Sequence, residues 1–245
     1  MNKKAQLALI ILGSLLVLSF IKNSIAGSAI QTAVQAVTHV PVKISSTNLS
    51  LVTTSISLKG VKIFNPSSYP DKLMLDAPEV AIHFDLPSYF KHELRFKEVK
   101  LNMKELVVIR NKDGSINVNE LKPKETAKKK ETQGKSAPKI KIDKLYLSIG
   151  KVVYKDYSMG STPVVQTFDI NMQNKEYRNI NDLTVLTSLI MSEALMRTTL
   201  SKLANLDVAG FKDTAESALG KGLSLAGDTA DTLESNAKNI LGMFK

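Results

Sequence analysis

Apolar residues recur at every second position in two stretches of this chain, and the two stretches can be laid over one another without a gap. Residues 94–114 read LRFKEVKLNMKELVVIRNKDG, and residues 140–160, 46 positions later, read IKIDKLYLSIGKVVYKDYSMG. Leu94 and Phe96 fall on Ile140 and Ile142. Val99, Leu101 and Met103 fall on Leu145, Leu147 and Ile149, Val107 falls on Val153, and both copies end at a glycine. In the first copy Lys100, Asn102 and Lys104 separate the apolar residues, the period of a strand with one wet and one apolar face. The repeat predicts successive strand pairs of one antiparallel sheet.

The same period, broken by turns, runs on either side. After Pro41, the pairs Val42 and Ile44, Leu49 and Leu51, Ile56 and Leu58, and Val61 and Ile63 each skip one residue, with phase slips that indicate turns or bulges. Residues 65–71, NPSSYPD, form a dense turn signal. Residues 77–86 alternate again, and 86–90 suit one short helical turn. Residues 111–114, NKDG, predict a hairpin returning into Ile116-Asn117-Val118, with Gly114 at positive φ. Residues 152–157 and 164–171 continue the strand pattern, and the polar run 171–181 is expected to end it. A helix is expected over 182–206, N-capped by Asn181, with Leu186, Leu189, Ile190, Met196, Leu200 and Leu203 on one face. Residues 211–244 carry small apolar residues at spacings of three or four, which suit one or two amphipathic helices broken near Gly220 and Gly222.

A different pattern opens the chain. Lys3 and Lys4 precede residues 5–21, which hold no charge and only Gln6, Ser14 and Ser19 as polar side chains. At ~1.5 Å per residue this run reaches ~25 Å, extendable through Ile25 and Ala26. It reads as a transmembrane anchor or as a signal peptide cut after Ser24-Ile25-Ala26. The helical stripe of Ile25, Ala29, Ile30, Ala33, Val34 and Val37 up to Pro41 favours the anchor. The leading lysines place the N-terminus in the cytoplasm and the rest of the chain across the membrane.

Composition narrows the chemistry. The formal net charge is +10, but seven Lys against Glu125 and Glu131 concentrate half of that excess within residues 122–139, KPKETAKKKETQGKSAPK. Such a tract reads as a solvated loop. With no zinc-ligand spacing, RRM-like aromatic motif or basic recognition helix, nucleic acid is not an expected partner. The absence of cysteine excludes disulfides and thiolate metal sites. His39, His83 and His92 are scattered, Asp76 and Asp85 bracket an alternating strand as solvated turn residues do, and residues 110–114 lack the ligand count of a calcium loop. No phosphate loop or GxSxG is present. The expectation is a protein with no catalytic residues, metal or cofactor.

The succession GVKIFNPSSYP, APEVAIHFDLPSYF and LRFKEVKLNMKELVVIRNKDGSINVNEL resembles the N-terminal region of the AsmA-like proteins of Gram-negative envelopes. Gly60, Asn65, Pro66, Tyr69, Ala77, Val80, Asp113, Gly114, Asn117 and Leu121 carry the match, which covers residues 1–121 and more loosely 140–160. The chain is shorter than typical members, and its second copy has Met159-Gly160 where Asp-Gly is expected. The resemblance implies a β-groove anchored at the inner membrane, similar to the eukaryotic bridge-like lipid carriers.

Together these readings predict an α+β protein. A transmembrane helix and its extension (1–40) lead into a curved antiparallel sheet forming an open groove (41–121 and 140–180). The Lys-rich loop (122–139) interrupts the groove, and C-terminal helices (181–245) follow it. One side of such a sheet must be hidden by the chain's own helices, by a lipid or by a second protein. The first expectation is a lipid-binding protein of the inner membrane, single-pass, acting in phospholipid transport or outer-membrane assembly. Val99, Leu101, Met103, Leu145, Leu147 and Ile149 are the candidate groove floor. The alternative is a membrane-anchored scaffold that docks an envelope protein through its C-terminal helices. Residues 207–245 hold four Lys against six Asp or Glu, so those helices are expected to cover the sheet or a partner rather than anionic lipid.

Overall fold

Long alternating runs make long strands. The computed structural model describes residues 23–28, 30–32, 35, 40–89, 91, 93–121, 139–181, 183–203 and 205–219. Its strands are β1 (Val42–Lys43), β2 (Ser46–Ser50), β3 (Ser55–Phe64), β4 (Leu73–Phe84), β5 (Glu93–Arg110), β6 (Lys139–Asp156) and β7 (Val164–Ile180). They form one curved, open sheet in the order β1-β3-β4-β5-β6-β7, with β2 following β1 along the same edge of β3. Helices α1 (Leu86–Tyr89), α2 (Leu183–Met196) and α3 (Val208–Leu219) complete an α+β fold. The apolar run at residues 5–21 lies outside the described residues; among those described, no helix is long and apolar enough to cross a membrane. The Lys-rich tract 122–138 and residues 220–245 also lie outside them.

The sheet is mixed, not antiparallel. Every strand pair is antiparallel except the central one, where β5 and β6 run parallel from Glu93↔Lys139 to Arg110↔Asp156. The two repeat copies are therefore single long strands lying side by side, not successive hairpins. Their pairing is the sequence alignment itself: Leu94↔Ile140, Val99↔Leu145, Leu101↔Leu147, Met103↔Ile149 and Val107↔Val153. Parallel, in-register pairing sets like residues beside like on both faces, whereas antiparallel pairing would reverse the order of one copy against the other. A parallel pair needs a connection of a dozen or more residues, and residues 111–138 provide it.

The apolar positions also slip phase in step. Buried residues run Val99, Met103, then Leu106 and Val108 in β5, and Leu145, Leu147, Ile149, then Val152 and Tyr154 in β6, all within one core. Val107 and Ile109 pack instead with Tyr69 and Tyr157 in a second cluster. At the slip the backbones approach closely, since a Cβ on Gly150 would lie 2.6 Å from the Lys104 carbonyl oxygen. Because both strands slip at the same place, their mutual register survives.

Three further boundaries differ from the sequence reading. The NKDG turn forms, with Gly114 at φ 80° and the Gly114 amide donating to the Asn111 carbonyl at 3.0 Å. However, the returning segment makes only an isolated bridge, Arg110↔Ile116, before a 3-10 turn at Asn117–Leu121. The side chain of Asn117 takes the place of the missing strand: its Oδ1 accepts from the Ile109 amide and its Nδ2 donates to the Val107 carbonyl, each at 2.8 Å. The polar run 171–181 does not end the sheet either. Asn171, Asn174 and Asn179 adopt left-handed φ of 50°, 47° and 58°, which asparagine tolerates better than most residues, and β7 continues through register shifts to Ile180.

The helix expected over 182–206 begins at Leu183 and stops at Met196. Thr198 ends it and starts the next turn, donating through Oγ1 to the Leu195 carbonyl (2.7 Å) and accepting from the Leu200 amide (3.1 Å). Asp207 then caps α3 by accepting the Gly210 amide at 2.8 Å.

Candidate lipid-binding face

Cross-strand register builds the face row by row. Leu58, Val80, Leu101 and Leu147 are direct partners across β3, β4, β5 and β6. Ile56, Ile82, Val99, Leu145 and Tyr177 form the next row, reaching β7. Alternation puts each row on one side of the pleat, so the six candidate floor residues do share a face.

The two halves of that face are covered differently. Met103, Leu145, Leu147 and Ile149 are fully buried and Val99 nearly so, in a core that includes Val185, Leu189, Ala194 and Leu195 of α2 and Phe211 and Ala215 of α3. There the chain's own helices occupy the floor. Toward β3 and β4 the cover is uneven: Leu101, Val80, Ile82, Val61 and Ile63 are only partly buried while packing against the same core, whereas Leu58, Leu75 and Ala77 are buried.

A charged cluster fastens α2 to the edge strand. Glu193 is 4% exposed; its Oε1 accepts from Lys175 Nζ of β7 at 3.2 Å and its Oε2 from Arg197 Nε at 3.4 Å. Lys175 also lies 5.7 Å from the centre of the Tyr177 ring, a cation–π distance. Removing one partner would leave charge stranded in an apolar setting.

The other concentration of polar groups lies where β5 and β6 end. Asn117 Nδ2 donates to Asn65 Oδ1 at 2.8 Å, and Asn65 Nδ2 donates to the carbonyls of Asp71 and Leu73 at 2.8 and 3.1 Å. These two buried amides bind the Asn-Pro turn to the Asp-Gly turn. Beside them lies an open hollow of about 530 Å³, lined by residues that include Tyr69, Asn111, Asp113 and Tyr157. Tyr157 donates to Asp71 Oδ2 at 2.9 Å, and Lys155 reaches the same oxygen at 2.9 Å. Hydrogen bonds from the Ser115 hydroxyl and amide hold the Asp113 carboxyl below the usual carboxylate range. Burial pushes the Tyr157 phenol up, and its hydrogen bond to Asp71 and that group's negative charge add to the shift. The arrangement fits a polar corner that fastens two turns.

Among the described residues no group of three or more His, Cys, Asp or Glu is placed to hold a metal. His83 is exposed on β4, opposite Ser55 and Glu98; His39 and His92 lie outside the described residues. Glu193 escaped the sequence reading because it sits inside an apolar helical stretch, and that interruption was the only signal it gave. Asn65 and Asn117 were visible as pattern positions, but their mutual hydrogen bond was not.

Among the described residues the fold is a curved, open mixed sheet with helices packed over part of its apolar face. The AsmA family profile matches residues 1–234, and the chain belongs to the AsmA family. No significant match is found among curated proteins or among solved structures. Membership makes this an envelope-associated protein.

Proposed function

We propose that this protein is a non-catalytic, inner-membrane-anchored lipid binder facing the periplasm, taking part in phospholipid transport or outer-membrane assembly. The observation that carries the reading is the unequal cover of one apolar face. Rows that are sealed on β6 continue as a partly exposed strip of Leu101, Val80 and Ile82 on β5 and β4, bordered by buried Val99 and Leu58. An acyl chain laid along that strip gains ~0.8 kcal/mol for each CH₂ removed from water. Membership of an envelope family and the apolar run at residues 5–21 support a lipid as the occupant. In this reading α2 and α3 close one side of the trough, and Leu101 is the floor residue that remains available. Val99, Met103, Leu145, Leu147 and Ile149 then support the floor from within the core.

The test uses the cross-strand pair Val80 and Leu101, because both are partly exposed. Substituting Asp at both positions is expected to abolish co-purified phospholipid, read by mass spectrometry, while the protein remains folded by circular dichroism. Undiminished lipid in the folded double variant rejects the reading. The complete burial of Met103, Leu145, Leu147 and Ile149 favours a second reading, a closed scaffold that binds an envelope protein partner.

A further inference from the structure

One end of the sheet carries apolar side chains that the core does not use. Leu51 and Val52, in the turn between β2 and β3, are 55% and 97% exposed. Leu86, at the start of α1, is 40% exposed. The two segments are neighbours: Ser55 pairs with His83, and the Phe84 amide donates to the Thr54 carbonyl at 2.9 Å. The turn is also held in shape, with the Thr53 amide donating to Ser50 Oγ at 3.2 Å and the Thr53 and Ser55 hydroxyls 2.7 Å apart.

The entry point of the chain lies at this same end. The Leu49 amide donates to Asn23 Oδ1 at 2.9 Å, and a Cβ on Gly27 would lie 2.8 Å from Thr47 Oγ1. Helical residues 23–28 therefore run beside β2 in the opposite sense. Their N-terminal end, which leads back to the apolar run 5–21, points toward the Leu51–Val52 turn. Leu49 is the penultimate residue of β2, and Val52 stands in the turn just past the end of that strand. Asn23, two residues past the end of the apolar run, is thus in hydrogen-bond contact with Leu49, three residues before Val52 at the tip of the turn.

We propose that Leu51, Val52 and Leu86 form a second membrane contact, a wedge that inserts into the outer leaflet of the bilayer holding the anchor and sets one end of the sheet against the lipid. The inference rests on the membrane-anchored reading above. The occupant is the bilayer because the chain's own apolar run leads there and the three residues are presented on short, fixed turns. Insertion buries apolar side chains that are otherwise in water.

The chain has no Trp, so single-Trp variants report position directly. Full-length V52W and L86W, reconstituted into phosphatidylethanolamine and phosphatidylglycerol vesicles containing dibrominated phosphatidylcholine, are expected to lose emission to the bromolipid. L16W, inside the apolar run, serves as the anchor reference. M159W, 90% exposed in the turn between β6 and β7, is expected to keep its emission. Unquenched V52W and L86W with quenched L16W overturn the wedge alone and leave the anchor standing. Unquenched L16W overturns the anchor and the wedge with it. A blue-shifted but unquenched V52W reports burial against protein instead of lipid and also overturns the proposal.

Discussion

Asn117 shows how one side chain can replace an element. Its amide satisfies the Ile109 amide and the Val107 carbonyl as a neighbouring strand would, and its second Nδ2 hydrogen bond ties in Asn65. It is fully buried, so truncation leaves polar groups of both the backbone and Asn65 without partners in a site closed to water. Asn117→Ala is expected to destabilise the protein by about 2–3 kcal/mol, measured by urea denaturation. A change within about 0.5 kcal/mol, the range of ordinary surface substitutions, would show that the bond to Asn65 is dispensable. Glu193 is the second residue whose weight comes from its surroundings: on an exposed helix it would be one more surface charge, and here it fastens α2 to β7.

At the level of elements, the parallel pair β5 and β6 is the centre of the sheet, and its register depends on two backbones slipping phase together. Gly150 stands at a close approach of the two backbones. A methyl group there would meet the Lys104 backbone oxygen at 2.6 Å, and a backbone atom inside a central strand cannot rotate away. Gly150→Ala is expected to cost about 1–3 kcal/mol through forced backbone displacement, seen as a lowered thermal midpoint. Gly160→Ala, with nothing within 4 Å of the added carbon, is the matched control and is expected to leave the midpoint nearly unchanged. Equal midpoints for the two variants would mean that the strands can part at the slip without loss. The left-handed Asn171 and Asn174 have a related role: they lie where β7 carries one residue more than β6 between paired positions, so the edge strand itself bulges and presents an irregular edge that discourages pairing with another chain.

For the whole molecule, the question is whether the C-terminal helices serve the fold or a partner. α3 divides at its end: Phe211 and Ala215 are buried in the main core, so a chain cut before Phe211 loses packing worth about 3–5 kcal/mol for the phenylalanine alone. A chain ending at Leu219 keeps both. Under the lipid reading, that shorter chain is expected to fold and to retain the same phospholipid, measured by mass spectrometry of the purified protein. Loss of a co-purifying envelope protein, with no lipid in either form, would instead assign the molecule to the scaffold reading.

Much of this architecture was legible one residue at a time. Alternation along residues 94–114 and 140–160 marked strand sequence and the residues of one apolar face, because side-chain direction in a strand follows from position alone, although it predicted a strand pair where each copy forms one long strand. Gly114 in the Asp-Gly turn and the short helix after Leu86 were readable for the same local reason, and the pattern of Asn65, Tyr69, Ala77 and Asn117 pointed to the AsmA family that the profile bears out. The direction of pairing was not legible, since alternation is the same whichever way a neighbouring strand runs; only the return of residues 111–138 to the starting end makes β5 and β6 parallel. Nor could periodicity tell an open floor from a sealed one. Leu101 and Leu147 sit in one row and look alike in sequence, yet one is partly exposed and the other fully buried, because helices that follow much later in the chain rest on β6 and β7. Apolar identity is a property of the residue, whereas cover depends on which distant segment arrives above it.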